Sequence, residues 1–179
     1  MVMGVNYNPK IVTDGLVLCY DAANDRSYPN TGTTWTDLAG SNDGTLTNGP
    51  TFDTTNGGSI VFDGTNDRVA IPIASLSSNY IPNVTYEAVV KFDSLGWRTV
   101  FSQDPGSGTG RIFLGVHGTN SKLVTFITGS ALQPDFSALS TGTIYHVAFI
   151  LSQAELELNS SIKIALNGVM DTITSVPSL

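Results

Sequence analysis

Acid–base chemistry in this chain would have to rest on three glutamates, Glu87, Glu155 and Glu157, and two histidines, His117 and His146. Glycoside hydrolysis needs two carboxyl groups facing each other across a cleft, one of them with a raised pKa. Glu87 falls in a strand pattern where such an acid could stand, but no Glu-x-Asp-x-x-Glu grouping surrounds it. Neither histidine has a serine or cysteine motif beside it, so both read as structural side chains. Cys19 is the only cysteine, which excludes a disulfide within one chain. Its neighbours in Leu16-Val17-Leu18-Cys19-Tyr20 suit a small buried hydrophobe better than a nucleophile. The glycines between Gly106 and Gly110 lead into no helical pattern, so nothing suggests a phosphate cradle. An enzyme is not expected.

Binding chemistry has more to draw on. Asp63, Asn66 and Asp67, joined by Asp21, supply hard oxygens of the kind Ca²⁺ gathers six to eight at a time. The same residue types are what a tight turn demands, because their side chains cap backbone groups and tolerate positive φ. The turn reading is the stronger, so no cofactor is expected, and Ca²⁺ is the one ion these oxygens could take. Asp37, Asn42 and Asp43 read the same way. Carbohydrate recognition needs an exposed aromatic plane ringed by amides or carboxylates. Trp97 with Arg98, or Tyr28 with Asn24, Asp25 and Asn30, could supply one, although aromatics close to Gly and Asp also serve to plug loops.

The elements that would position these residues are strands. With 179 residues and 41% hydrophobic content the chain can bury one sizeable core. The 18 glycines and only 13% charged residues describe short strands joined by turns rather than helices. A net charge of −7 with eight basic residues scattered along the chain argues against nucleic acid or an anionic membrane as partner. No apolar window approaches a membrane span, and no signal peptide is visible at the start. Residues 1–14 read as an N-terminal arm and 15–179 as one domain. Leu16 to Ala22 is a continuous apolar run consistent with a strand covered on both faces. Trp35 is the plug of the long polar loop from Asn24 to Asn42. Gly57 to Pro72 reads as a hairpin, Ser59 to Phe62 against Arg68 to Ile71, turning at Asp63 to Asp67. Asn83 to Phe92 alternates as a half-exposed antiparallel strand. Strands follow at Trp97 to Gln103, Arg111 to His117, Lys122 to Thr128 and Thr143 to Leu151. Asn167-Gly168 joins Ile162–Leu166 to Val169–Ile173 in a second hairpin. Asp104 to Gly110 reads as an exposed turn and Gln153 to Leu158 as an irregular loop. Eleven or twelve strands suit an all-β, two-sheet antiparallel sandwich.

The succession Gly15-Leu16-Val17-Leu18-Cys19-Tyr20-Asp21-Ala22, Ser27-Tyr28-Pro29, Thr33 to Gly40, Gly44 to Pro50 and Gly57 to Pro72 resembles the laminin-G-like modules of the concanavalin A-like superfamily. More narrowly it resembles those of tail-fibre and other virion proteins of tailed bacteriophages, cyanophages among them. The likeness is specific over the first seventy residues; beyond Asn83 it is one of strand rhythm. It implies a jelly-roll sandwich that binds carbohydrate in some members, binds Ca²⁺ in others and is only structural in the rest. Such modules follow the Asn-Gly hairpin with closing strands, and here the chain stops at Leu179. An unpaired edge beside Leu16, Leu18 and Tyr20 is therefore expected to be covered by a neighbouring subunit. The expected role is that of a non-enzymatic virion subunit, a head-decoration, neck or tail-fibre protein. It would be made in the host cytoplasm, oligomeric and packed against other virion proteins. The alternative is a carbohydrate-binding adhesin module that meets a host-surface glycan.

Overall fold

The computed structural model describes residues 12–72, 83–103, 112–127, 130–152 and 161–174. Its regular structure is antiparallel β throughout, thirteen strands among the described residues with a single 3₁₀ turn at Thr55–Gly57. The chain divides into two compact units, Met1–Ile73 and Ala74–Leu179.

The first unit contains β1 (Thr34–Trp35), β2 (Gly44–Thr47), β3 (Thr51–Asp53), β4 (Ser59–Val61) and β5 (Arg68–Ala70). β2 pairs with β5 through Thr45↔Ala70, Leu46↔Val69 and Thr47↔Arg68, while β3 pairs with β4 through Phe52↔Ile60. The expected hairpin of Gly57 to Pro72 is corrected: its two halves do not pair with each other. They form the returning arm of a longer nested hairpin whose outgoing arm is Gly44 to Asp53. The reversal lies at Thr54 to Gly58, where Asn56, Gly57 and Gly58 take φ of 56°, 92° and 133°. Three successive left-handed residues turn the chain back, a job that suits Asn and Gly. Asp63 to Asp67 is a side loop of the returning arm, tied across the ladder by the Asn48 amide donating to the Asn66 carbonyl at 2.7 Å.

Leu16 to Ala22 is likewise not a strand. It runs beside the 36–42 loop without forming a regular ladder. Leu38 N–H donates to the Cys19 carbonyl, Cys19 N–H donates to Asp37 Oδ1, and the Asn42 amide reaches the Val17 carbonyl. A carboxylate has taken the backbone donor that a neighbouring strand would have taken. Trp35 does plug this loop: it stacks on Tyr20 at 5.2 Å and meets Tyr28 edge-on at 6.5 Å, with Phe52 on the far side of Tyr28.

The second unit is a two-sheet sandwich. One sheet has the order β10 (Ser130–Leu132), β9 (Leu123–Ile127), β8 (Ile112–Val116), β7 (Arg98–Gln103). The other has β13 (Val169–Ile173), β12 (Ile162–Leu166), β11 (Ile144–Leu151), β6 (Val84–Lys91). Period-two alternation decides which residues enter the core. Ile112, Leu114, Val116 and Leu123 from the first sheet meet Tyr145, Val147, Phe149, Leu151, Ile162 and Ile164 from the second. Tyr86, Phe101 and Phe149 form an aromatic contact between the layers, Tyr86 stacked on Phe101 at 4.2 Å. β6 alternates as its sequence predicts, Val84, Tyr86, Ala88 and Val90 inward and Thr85, Glu87, Val89 and Lys91 outward. The Asn167-Gly168 hairpin also forms, both residues at positive φ, 50° and 81°, as a type I′ turn requires. The predicted segments at Asp104 to Gly110 and Gln153 to Leu158 lie outside the described residues.

Candidate functional site

The feature with binding chemistry is the exposed end of an aromatic row on the face of the β7–β10 sheet turned away from the β6–β13 sheet, a row that is buried at Phe113 and Val124 and reaches water at Trp97. β8 turns Phe113 and Gly115 outward, opposite Phe126 and Val124 of β9. The Phe113 ring lies over Gly115, since a Cβ there would fall 2.4 Å from Phe113 Cζ. Phe113 meets Phe126 edge-on at 5.4 Å, Phe126 lies 5.9 Å from Trp97, and Trp97 lies 4.6 Å from His117. Trp97 ends the strip and is 54% exposed. Its seat is Gly118, whose missing side chain lets the indole lie 2.4 Å from where a Cβ would stand.

The 117–120 turn that forms this seat is held by its own polar groups. His117 Nδ1 lies 3.1 Å from Thr119 Oγ1 and accepts from Thr119 N–H. Asn120 and Gln133 exchange amide hydrogen bonds at 3.1 and 3.2 Å, and Asn120 Oδ1 also caps Lys122 N–H. An exposed indole beside hydroxyl and amide groups is the chemistry that stacks on the apolar face of a pyranose ring. Arg98, predicted alongside Trp97, is folded back onto the 94–97 turn, donating to the Trp97 carbonyl and to Ser94 Oγ. His117, expected only as a structural side chain, is brought to Trp97 by the strand register, and Asn120 and Gln133, which brace the neighbouring turn, carry no signal in the sequence.

The other predicted site residues lie elsewhere. Tyr28, expected as an exposed plane, is 3% exposed, its ring among Trp35 and Phe52 and its hydroxyl donating to the Gly32 carbonyl. It is part of the loop plug, which corrects that expectation. Asn24 caps its own turn by accepting from Arg26 N–H. Asp63 Oδ1 accepts from Thr65 and Asn66 N–H, and Asp67 Oδ2 accepts from Asp63 N–H. These bonds, the Thr65 amide foremost, hold the Asp63 carboxyl below the usual carboxylate range. Asp21 caps a different turn, at Ala23 N–H. Asp63, Asp67 and Asp21 are thus engaged as turn caps while Asn66 takes part through its backbone, and among the described residues no three His, Cys, Asp or Glu side chains gather as a metal would need. Of the predicted interface residues, Leu16 and Leu18 are half-buried, and Tyr20 is stacked on Trp35 with its hydroxyl donating to the Asn42 carbonyl. Burial first, then the negative Asp37 and Asp43, push the Tyr20 phenol up to about 12.

Among the described residues, the groups with catalytic potential are Cys19, Glu87, His146 and Asp37. Cys19 is half-buried, and burial together with Asp21 and Asp37 raises its thiol pKa, the reverse of what a nucleophile needs. Glu87 Oε1 lies 2.6 Å from His146 Nε2, a hydrogen-bonded pair on the outer face of the β6–β13 sheet with both side chains well exposed to water. Asp37 is the most fully engaged acid, 5% exposed, with Oδ1 accepting from Cys19 and Ala39 N–H and Oδ2 from the Asn42 backbone and side chain. Burial alone would raise its pKa, but these four donors outweigh burial and hold it below the usual range.

The fold and these surfaces define an all-β protein of antiparallel sheets, with a sandwich in its second unit. No protein-family model, no curated protein and no solved structure matches the chain.

Proposed function

We propose that this chain is a non-enzymatic structural subunit of a phage virion, working through the packing of its sheet surfaces against other subunits. The resemblance of the first seventy residues supplies the setting. The observation that carries the packing role is the outer face of the β6–β13 sheet, where Val89, Ile144 and Met170 are 72%, 51% and 56% exposed, interspersed with the polar Glu87, Lys91 and His146. An open sheet face that presents apolar side chains is a surface made to be covered. Particles purified on a gradient from the host that makes this chain, probed with an antiserum against it, should retain the chain through high-salt washing. Confinement of the chain to the soluble fraction overturns the reading.

A second reading, a carbohydrate-binding adhesin module that attaches to a host-surface glycan, is favoured by Trp97 on its Gly118 seat. It expects glycan-array binding that is lost in Trp97→Ala and weakened in Gly118→Ala, whose new methyl displaces the indole. Binding untouched by both substitutions, or no binding to any glycan, removes it.

A further inference from the structure

We infer that β6 pairs with the β6 of a second copy of this chain, antiparallel about a two-fold axis at Val89, joining two four-stranded sheets into one of eight. The inference rests on the packing reading above and names the partner that reading leaves open.

Among the described residues β6 pairs with β11 alone, over eight residues without a register shift. The inner side chains are more exposed on its far flank: Val84, Tyr86, Ala88 and Val90 are half-buried, whereas Tyr145, Val147, Phe149 and Leu151 opposite them are buried. The direction of the free backbone groups follows from two neighbouring bonds. His146 points both its N–H and its carbonyl at Asn167, away from β6. His146 is therefore a non-hydrogen-bonded partner of Val89, and by alternation the odd-numbered residues of β6 aim their N–H and C=O groups outward. Phe92 agrees, since this even-numbered residue aims its carbonyl inward, at Gly142 N–H. Among the described residues nothing pairs with the outward donors and acceptors of Thr85, Glu87, Val89 and Lys91, and the strand itself has no proline or bulge to guard the edge.

The side chains select the partner and the register. Turned about Val89, the strand sets Val89 against its own copy and Glu87 against Lys91 twice over, with all these side chains on the outer face. Turned about Glu87, it sets glutamate against glutamate. Turned about Val90, it sets Glu87 against Asp93. Turned about Ala88, it leaves both charges facing uncharged residues. Like charges directly opposite are unfavourable in a sheet and opposite charges favourable, so the strand is complementary to itself in one register. The exposed Val89 at the axis gains an apolar partner in that register.

Sedimentation equilibrium of the intact chain is expected to give a dimer that dissociates on dilution. Val89→Pro removes a donor that faces the edge rather than β11, so the sandwich should keep its far-UV spectrum while the dimer is lost. Glu87→Lys and Lys91→Glu singly should each raise the dissociation constant about tenfold or more, and the double exchange should bring it back towards wild type. A wild-type chain that stays monomeric at high concentration overturns the inference, even if Val89→Pro fails to fold. So does a dimer that Val89→Pro leaves intact, or a double exchange that rescues nothing. A monomer that still travels with purified particles sinks the pairing and spares the packing role; a dimer absent from particles does the reverse.

Discussion

Replacing Asp37 tests whether one carboxylate holds Val17 to Asp21 in place. In Asp37→Ala, Cys19 N–H loses its acceptor at a half-buried position, which costs about 1–3 kcal/mol. Ala39 and Asn42 lose theirs at sites that water reaches, adding about 0.5 kcal/mol each. The expected total is about 3 kcal/mol of the stability of the first unit. Asp37→Asn keeps an oxygen for Cys19 and Ala39 but turns an NH₂ towards the donors of Asn42, so about 1–2 kcal/mol is expected. The pH dependence follows from the direction of the pKa shift. A carboxyl held below its unfolded value contributes stability that is complete above the ordinary carboxylate range and lost as pH falls through the depressed folded value. The gap between wild type and Asp37→Asn should therefore close on acidification from pH ~4 downward. Urea unfolding followed by tryptophan fluorescence in a Trp97→Phe background leaves Trp35, in the first unit, as the sole reporter. A neutral Asp37→Ala, or a gap that persists undiminished at low pH, would refute the reasoning.

Three further substitutions probe the sandwich. Gly115→Ala would place a Cβ 2.1 Å from the Arg98 carbonyl oxygen and 2.4 Å from Phe113 Cζ, in the middle of a paired strand that cannot move aside. A loss of about 3 kcal/mol or more is expected, read as a drop in urea midpoint or failure to accumulate as soluble protein. Gly168→Ala puts a side chain at φ 81° and should cost about 1–2 kcal/mol by thermal melting, whereas Asn167→Gly keeps the turn and loses only the bond from His146 N–H. If Gly168→Ala is neutral, the type I′ turn is not what fixes the β12–β13 register.

What could be read in the sequence was local. The alternation of Val84 to Lys91 and the Asn167-Gly168 pair announced β6, β12 and β13, because period two and positive φ are properties of a few consecutive residues. The partner of each strand was not legible where two turn signals competed. Asp63-Gly64 and Asn56-Gly57 both qualify as reversals, and the structure uses the second, with Gly58 extending it. Leu16 to Ala22 carried a strand's composition, yet the acceptor for Cys19 N–H is the Asp37 side chain, which no periodicity reveals. Ser130–Leu132 was too short to register. Glu87 with His146, and His117 with Trp97, are juxtaposed by pairing across long sequence separations. Their types were noted and their meeting was not. Tyr28 shows the converse, a loop aromatic whose composition fits solvent and core equally.

The nested hairpin of the first unit also bears on the order in which the chain acquires structure. Its rungs run outward from Asp53–Ser59 to Thr45–Ala70, each closing a loop only slightly larger than the one before except at the step from Thr51–Val61 to Thr47–Arg68, which spans the 62–67 side loop. Such a ladder can zip up from Asn56-Gly57-Gly58 as soon as the chain through Ala70 exists, at small entropic cost per step. The β6–β11 ladder must instead wait for residues on either side of β7 to β10 to find each other. Until then the bare backbone of β6 is open on both sides, and the time it spends so is when a growing chain is most exposed to the wrong neighbour.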